Sequence, residues 1–351
     1  MTKPLILHSS VIGNTHIRKK LPNQDSADSW ISPKGDAWIA VIADGHGSSG
    51  HPYSDIGSKL ATKITVNNYQ SFYNNSTSTN TIGVDLINFK HDFFLKILNE
   101  WRRDCMLDYE SKHPQGTSKK AELLSDSQIL RLYGSTICYV YKLSDSIIIS
   151  TLGDSSVFVR NGSGLISHLL FNDESPGEST NSLCQKNPEV DIEHQIIFDS
   201  NNFILISTDG IIKSLDNTNE FHKIADYYYK LISSSSSDSK IINDLNEQLD
   251  YFSKNGSGDD CTALLIYQGL STIDSLKTKP ESFITNPSVS FEPTLTRQKK
   301  TIIIGLSLLL LLLILTIPLL IFQLTAISKP RILNLMKEMG TSKLARKICQ
   351  K

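Results

Sequence analysis

The segment 301–324 constrains this chain more than any other: its twenty-four residues carry no charged side chain and are mostly Leu and Ile. At about 1.5 Å per residue, a helix of that length reaches about 36 Å, enough to cross a hydrocarbon core about 30 Å thick with some tilt. The central run from Leu308 to Leu315 has no polar face, which suits lipid on every side rather than one side of a water-soluble core. Pro318 would break a soluble helix, whereas a membrane helix tolerates it as a kink. Arg297, Lys299 and Lys300 before the segment are matched by Lys329, Arg331 and Lys337 after it, so charge does not set its orientation. The expected organisation is a folded domain over 1–270, a flexible Ser/Thr/Pro/Lys-rich linker over 271–300, a transmembrane helix over 301–324 and a basic tail over 325–351. In the tail, Ile332, Leu335, Met336 and Met339 recur at helical spacing among basic residues. That pattern suits either a solvated tail or a helix lying on an anionic membrane face.

No secretory signal opens the sequence. Residues 4–7 are apolar, but the run is too short for a signal core and is interrupted by His8, Ser9 and Ser10; it reads as an edge strand. The domain is therefore expected on the cytoplasmic side of the membrane. A hydrophobic content of 39% with 20% charged residues suits a sizeable core. A net charge of -1 gives no basic excess and excludes general nucleic-acid binding from the expectation. The five cysteines are scattered, odd in number and without a CxxC pair, so neither a disulfide framework nor a zinc site is expected.

Within 1–270, short β-rich runs and longer helical ones are mixed rather than strictly alternating. Residues 37–43 form a continuous apolar run ending at Asp44-Gly45, as a buried strand would. Helical spacing marks 54–70 and, more strongly, 85–109, where Leu86, Phe89, Phe93, Ile97, Trp101 and Cys105 follow three- and four-residue steps. Strands are expected over 135–141, 147–151, 157–160, 203–207 and 262–267, and helices over 220–232 and 240–252. The stretches 74–81 and 233–237 read as polar loops. This order predicts an α+β domain of antiparallel sheets packed with helices.

Five aspartates recur at strand ends or beside glycine: Asp25, Asp44, Asp154, Asp209 and Asp259. Such turns can present carboxylate and carbonyl oxygens together. Several carboxylates converging from them would repel one another unless cations lay between them. An all-oxygen donor set suits Mg²⁺ or Mn²⁺ rather than zinc.

The aspartates lie within six motifs that occur in a fixed order. These are Arg18 with Pro22-Asn23-Gln24-Asp25; Val41-Ile42-Ala43-Asp44-Gly45-His46-Gly47; Gly134-Ser135-Thr136; Gly153-Asp154-Ser155; Ser207-Thr208-Asp209-Gly210; and Gly258-Asp259-Asp260-Cys261-Thr262. In this order they resemble the metal-dependent serine/threonine protein phosphatases of the type 2C family, across nearly all of residues 10–267. The resemblance implies a central antiparallel β-sandwich flanked by helices, a four-layer αββα arrangement with metals in a cleft at one end. It implies two ions, Mn²⁺ or Mg²⁺, with Asp44 bridging them and the Gly45 carbonyl on one. Asp209 and Asp259 would ligate one metal, and Asp25 would orient metal-bound water from outside. Asp154 with Asp209 matches the family's weaker third-metal position. A pair of ions acidifies a shared water and holds it in line with phosphorus.

His46 matches a position that can protonate the leaving serine or threonine oxygen; the competing reading is a histidine that only hydrogen-bonds metal waters. The phosphate-gripping cation is either Arg18 or Lys20. Arg18 is preferred, because its planar fork can bind two phosphate oxygens at once. Ser156 stands where the family commonly has arginine, and the polar stretch 171–195 falls where the family carries a variable flap beside the cleft. The resulting expectation is a membrane-anchored phosphoprotein phosphatase, with a phosphorylated protein substrate and a cognate kinase as partners. The alternatives are a tethered phosphoprotein-binding module without activity and a small-molecule phosphatase on the same fold.

Overall fold

The computed structural model describes residues 3–79, 86–114, 124–143, 145–161, 164–169, 180–198, 201–234 and 237–269. It divides into two units, Met1–Ser290 and Phe291–Lys351, and every described residue belongs to the first. The linker, the apolar segment 301–324 and the basic tail expected from the sequence lie outside the described residues. Among the described residues no helix is long and apolar enough to cross a membrane.

The chain begins with β1 (Leu5–Val11), the short helix α1 (Asn14–Lys19), β2 (Ser26–Ile31) and β3 (Trp38–Ala43). Two long helices follow, α2 (Ser54–Thr79) and α3 (Leu86–Lys112), and then the shorter α4 (Asp126–Leu132). Next come β4 (Ile137–Leu143), β5 (Ser146–Leu152), β6 (Ser156–Asn161) and β7 (Ile166–Leu169). The remainder is α5 (Pro188–Asp191), β8 (Glu193–Phe198), β9 (Asn201–Ser207), α6 (Asp209–Ile212), α7 (Thr218–Ser233), α8 (Asp238–Asn255) and β10 (Cys261–Tyr267).

The strands form two five-stranded sheets, ordered β1-β10-β9-β6-β7 and β2-β3-β4-β5-β8, and every pairing is antiparallel. The β3 run is apolar throughout because both of its faces are covered. Trp38, Ala40 and Ile42 point between the sheets, where they meet Val157, Ile204, Ile206 and Leu264 from the other sheet. Ile39, Val41 and Ala43 point the opposite way, into a core shared with Ala61, Phe94, Ile97 and Trp101 of α2 and α3. On the far side, Phe203, Leu205 and Leu265 pack under Phe221, Tyr228, Leu245 and Leu249 of α7 and α8. Three stacked cores thus give the four-layer αββα sandwich. Each fully buried large apolar side chain contributes about 1.5–3 kcal/mol.

Two sequence expectations need correction. The polar stretch 74–81 is helical as far as Thr79. Its Asn and Ser residues are poor helix formers, but Phe72 packs at a tilt against Phe89 and the Tyr73 hydroxyl donates to Asp36, so tertiary contacts carry the helix outward. The stretch 171–195, expected to be loop-like, contains α5 and the start of β8. β8 pairs with β5 from Ser146↔Phe198 to Thr151↔Glu193. Its sequence, EHQIIF, lacks the two-residue alternation that marks a half-buried strand.

Candidate metal centre

The β3 strand delivers Asp44 to the end of the sandwich, and the motif 134–136 holds it there. The Asp44 N–H donates to Thr136 Oγ1 (3.0 Å), and the Thr136 N–H donates back to the Asp44 carbonyl (2.8 Å). Gly45 donates to the Gln24 carbonyl (3.1 Å) and His46 to the Gly134 carbonyl (3.0 Å). Asp154 occupies the turn between β5 and β6. Its neighbour Gly153 has φ +116°, and a Cβ there would lie 2.6 Å from Thr136 Cγ2, so only glycine fits. Asp209 opens α6 directly after β9. Thr208 fastens this strand end across the sheet, accepting from the Thr262 N–H (3.1 Å) and donating to Asp25 Oδ2 (2.8 Å).

These strand ends bring three of the expected residues into one cluster. One carboxylate oxygen from each of Asp44, Asp154 and Asp209 lies within 4.8 Å of the other two. Asp259 borders the cluster through Lys213, whose Nζ is 3.8 Å from Asp259 Oδ2 and also pairs with Asp209 Oδ2. Asp25 sits buried behind it.

The cluster shows the electrostatic strain expected of converging carboxylates. Burial, and then the charges of Asp25, Asp209, Asp154 and Asp259, push the Asp44 carboxyl well above the ordinary range. Burial and Asp260 push Asp25 up to about 8, although Thr262 and Thr208 hydrogen-bond it. Burial and Asp154 raise Asp209 to about 6 against the pull of Lys213. Asp25 Oδ1 and Asp209 Oδ1 are both buried without a hydrogen-bond partner. A divalent cation would relieve both conditions, and the oxygen-only donor set fits Mg²⁺ or Mn²⁺.

His46 lies beside the cluster with its ring 4.7 Å from that of His51. His51 Nδ1 donates to the Arg131 carbonyl. Gly134 forms the floor under both rings: a Cβ there would lie 2.5 Å from His46 Cδ2 and 2.6 Å from His51 Nδ1. Burial, followed by the neighbouring His51, pushes His46 down to about 4, so the imidazole is neutral at pH 7.

The two candidate phosphate cations, Arg18 on α1 and Lys20 at its left-handed C-cap (φ 58°), are both exposed, and neither pairs with a cluster carboxylate. Sequence reasoning missed three residues. One is Lys213, signalled only by its i,i+4 spacing from Asp209. Another is Asp260, which accepts from the N–H groups of Gly13 and Gln24 (2.7 Å to the latter). The last is His16, whose Nδ1 lies 2.9 Å from Asp260 Oδ2.

The profile of the family described as protein phosphatase 2C matches residues 12–250, which is more than half of the chain and contains five of the six motifs. The chain belongs to the protein phosphatase 2C family. As a member it is a protein serine/threonine phosphatase, and the family is metal-dependent. Solved structures agree with this fold. A bacterial serine phosphatase carrying a point mutation is 16% identical, with 77% of this chain and 100% of that chain covered and a TM-score of 0.50. The serine/threonine phosphatase Stp1 from Staphylococcus aureus is 15% identical, with 76% and 96% covered and a TM-score of 0.50. At such identities the likeness bears on the fold alone. None of the curated proteins matches this phosphatase significantly.

Proposed function

We propose that this phosphatase is anchored to a membrane by residues 301–324, with its catalytic domain on the cytoplasmic side, and dephosphorylates serine and threonine in protein substrates using two Mn²⁺ or Mg²⁺ ions. The reading rests on one observation above all, the convergence of Asp44, Asp154 and Asp209 oxygens within 4.8 Å in a member of this family. Asp44, the Gly45 carbonyl, Asp209 and Asp259 would hold the ions. When bound, the ions supply Lewis acidity toward water and the phosphoryl group.

The other roles fall to the protein. Thr208 holds one oxygen of Asp25, leaving Oδ1 to accept a hydrogen bond from the attacking water. His46, held between Gly134 and His51, would act as the imidazolium, taking up a proton before passing it to the leaving oxygen. Arg18, exposed on α1, can reach out to the substrate phosphate with two donors. The apolar anchor would confine the enzyme to substrates at the membrane, among them a cognate kinase.

The test is Mn²⁺-dependent hydrolysis of phosphoserine, phosphothreonine and phosphotyrosine peptides and of an aryl phosphate, by the wild type and by His46→Ala. The first two peptides should be preferred. His46→Ala should slow them about a hundredfold while sparing the aryl phosphate, whose leaving group needs no proton. Equal losses on peptide and aryl phosphate would reduce His46 to a water-binding role. No metal-dependent turnover of any peptide would sink the reading.

A further inference from the structure

Lys213 has no part in the roles above, and it is unusual chemistry for such a place. A lysine beside carboxylates that are to hold divalent ions competes for the same oxygens. Its position follows from the backbone. Lys213 is the C-cap of α6, its N–H donates to the Asp209 carbonyl (2.9 Å), and one helical turn carries its side chain back over Asp209. Nζ pairs with Asp209 Oδ2 and stands 3.8 Å from Asp259 Oδ2, while the side chain remains 53% exposed.

Asp209 is thereby divided. One oxygen carries the ammonium, while Oδ1 is buried and unpartnered. Asp154 is also partly committed, because Thr180 Oγ1 donates to its Oδ2 (3.2 Å). These two residues match the third-metal position, and Lys213 Nζ sits at its Asp209 edge, on the side toward Asp259. We propose that Lys213 fills the third cation position with its own ammonium, so that this phosphatase binds two divalent ions where Asp154 and Asp209 would otherwise admit a third. The proposal rests on the metal-centre reading above. Charge supports it: two divalent ions and one ammonium carry as much positive charge as the five cleft aspartates carry negative. A tethered cation also needs no external supply, because the helix sets its effective concentration. It would not displace an ion held by several carboxylates, but it outcompetes one held by two.

The experiment is Mn²⁺ titration of metal-stripped, full-length protein in detergent micelles, with free Mn²⁺ followed by electron paramagnetic resonance. The wild type and Lys213→Arg should each take up two ions. Lys213→Met should take up a third, at least about tenfold tighter than any further binding to the wild type, because an ammonium about 4 Å from the incoming charge is gone. Lys213→Gln, which keeps a polar end at this half-exposed position, should behave like Lys213→Met and guards against a folding defect. Identical isotherms for wild type, Met and Gln would overturn the proposal, as would an Arg variant that binds three. If the wild type binds no Mn²⁺, the metal-centre reading falls with it. If the wild type binds two and the neutral variants also bind two, only the role of Lys213 falls.

Discussion

On one wall of the cleft, Asp44 and Asp154 are held by backbone and threonine hydrogen bonds, and among the described residues neither forms an ion pair. On the other wall, Asp209 and Asp259 share Lys213, and Asp260 is turned inward onto His16 and the N–H groups of Gly13 and Gln24. The first wall is electrostatically incomplete and the second largely completes itself. Carboxylates that read alike in the sequence therefore have three fates: to await a cation, to share a built-in one, or to brace the fold. The neighbours Asp259 and Asp260 show this most sharply. Asp259 is 41% exposed at the side chain, whereas the Asp260 side chain is 3% exposed and ties the loop after β1 to the loop before β10.

The largest effect should come from the incomplete wall. Asp44→Asn should lower Mn²⁺-dependent peptide hydrolysis at least about a thousandfold, because the residue proposed to hold both ions would be gone. The metal-free variant should melt no lower than wild type, since a repelling charge has been removed. Activity within tenfold of wild type would break the comparison at its strongest point.

On the second wall, stability should separate the two adjacent aspartates. Asp260→Ala leaves the buried N–H groups of Gly13 and Gln24 without their acceptor, and should cost about 2–4 kcal/mol in urea unfolding. Asp259→Ala should stay within about 0.5 kcal/mol of wild type in the same measurement, while impairing Mn²⁺ binding. Equal losses of stability would show that the two walls do not divide as described.

A smaller effect should appear with pH. Asp209 and Asp25 are raised to about 6 and about 8 in the folded protein, above their unfolded value of 3.8, so the folded state holds more protons between these limits. Their contribution is present below the unfolded value and is lost as pH rises through 6 and then 8. Metal-free protein should therefore melt at a lower temperature at pH 8 than at pH 5. The gain in Tm on adding Mn²⁺ should be larger at pH 8, by about 5 °C. A gain that is flat with pH would mean that protons and metal do not compete for this cluster.

Much of the fold was legible because it rests on local pattern. The long helices α2 and α3, the apolar β3 and the strands carrying Asp154 and Asp209 announce themselves by periodicity and by the glycines that follow them. Elements that depend on neighbours were not legible. β2 (SADSWI) and β8 are sheet edges with mixed composition, and the end of α2 is helical because Phe72 and Tyr73 are anchored elsewhere.

By itself the sequence determined the fold class, the family's motifs and their order, and which aspartates belong to that series, because each is a matter of residue type and spacing. Only the tertiary structure decided which carboxylates converge, that Asp260 braces rather than ligates, and that Lys213 rather than Arg18 or Lys20 meets the cluster. Those outcomes depend on the register of strands as distant in sequence as β3, β9 and β10. A few ångströms separate a repelling carboxylate from a neutralised one, and residue spacing carries no information on that scale.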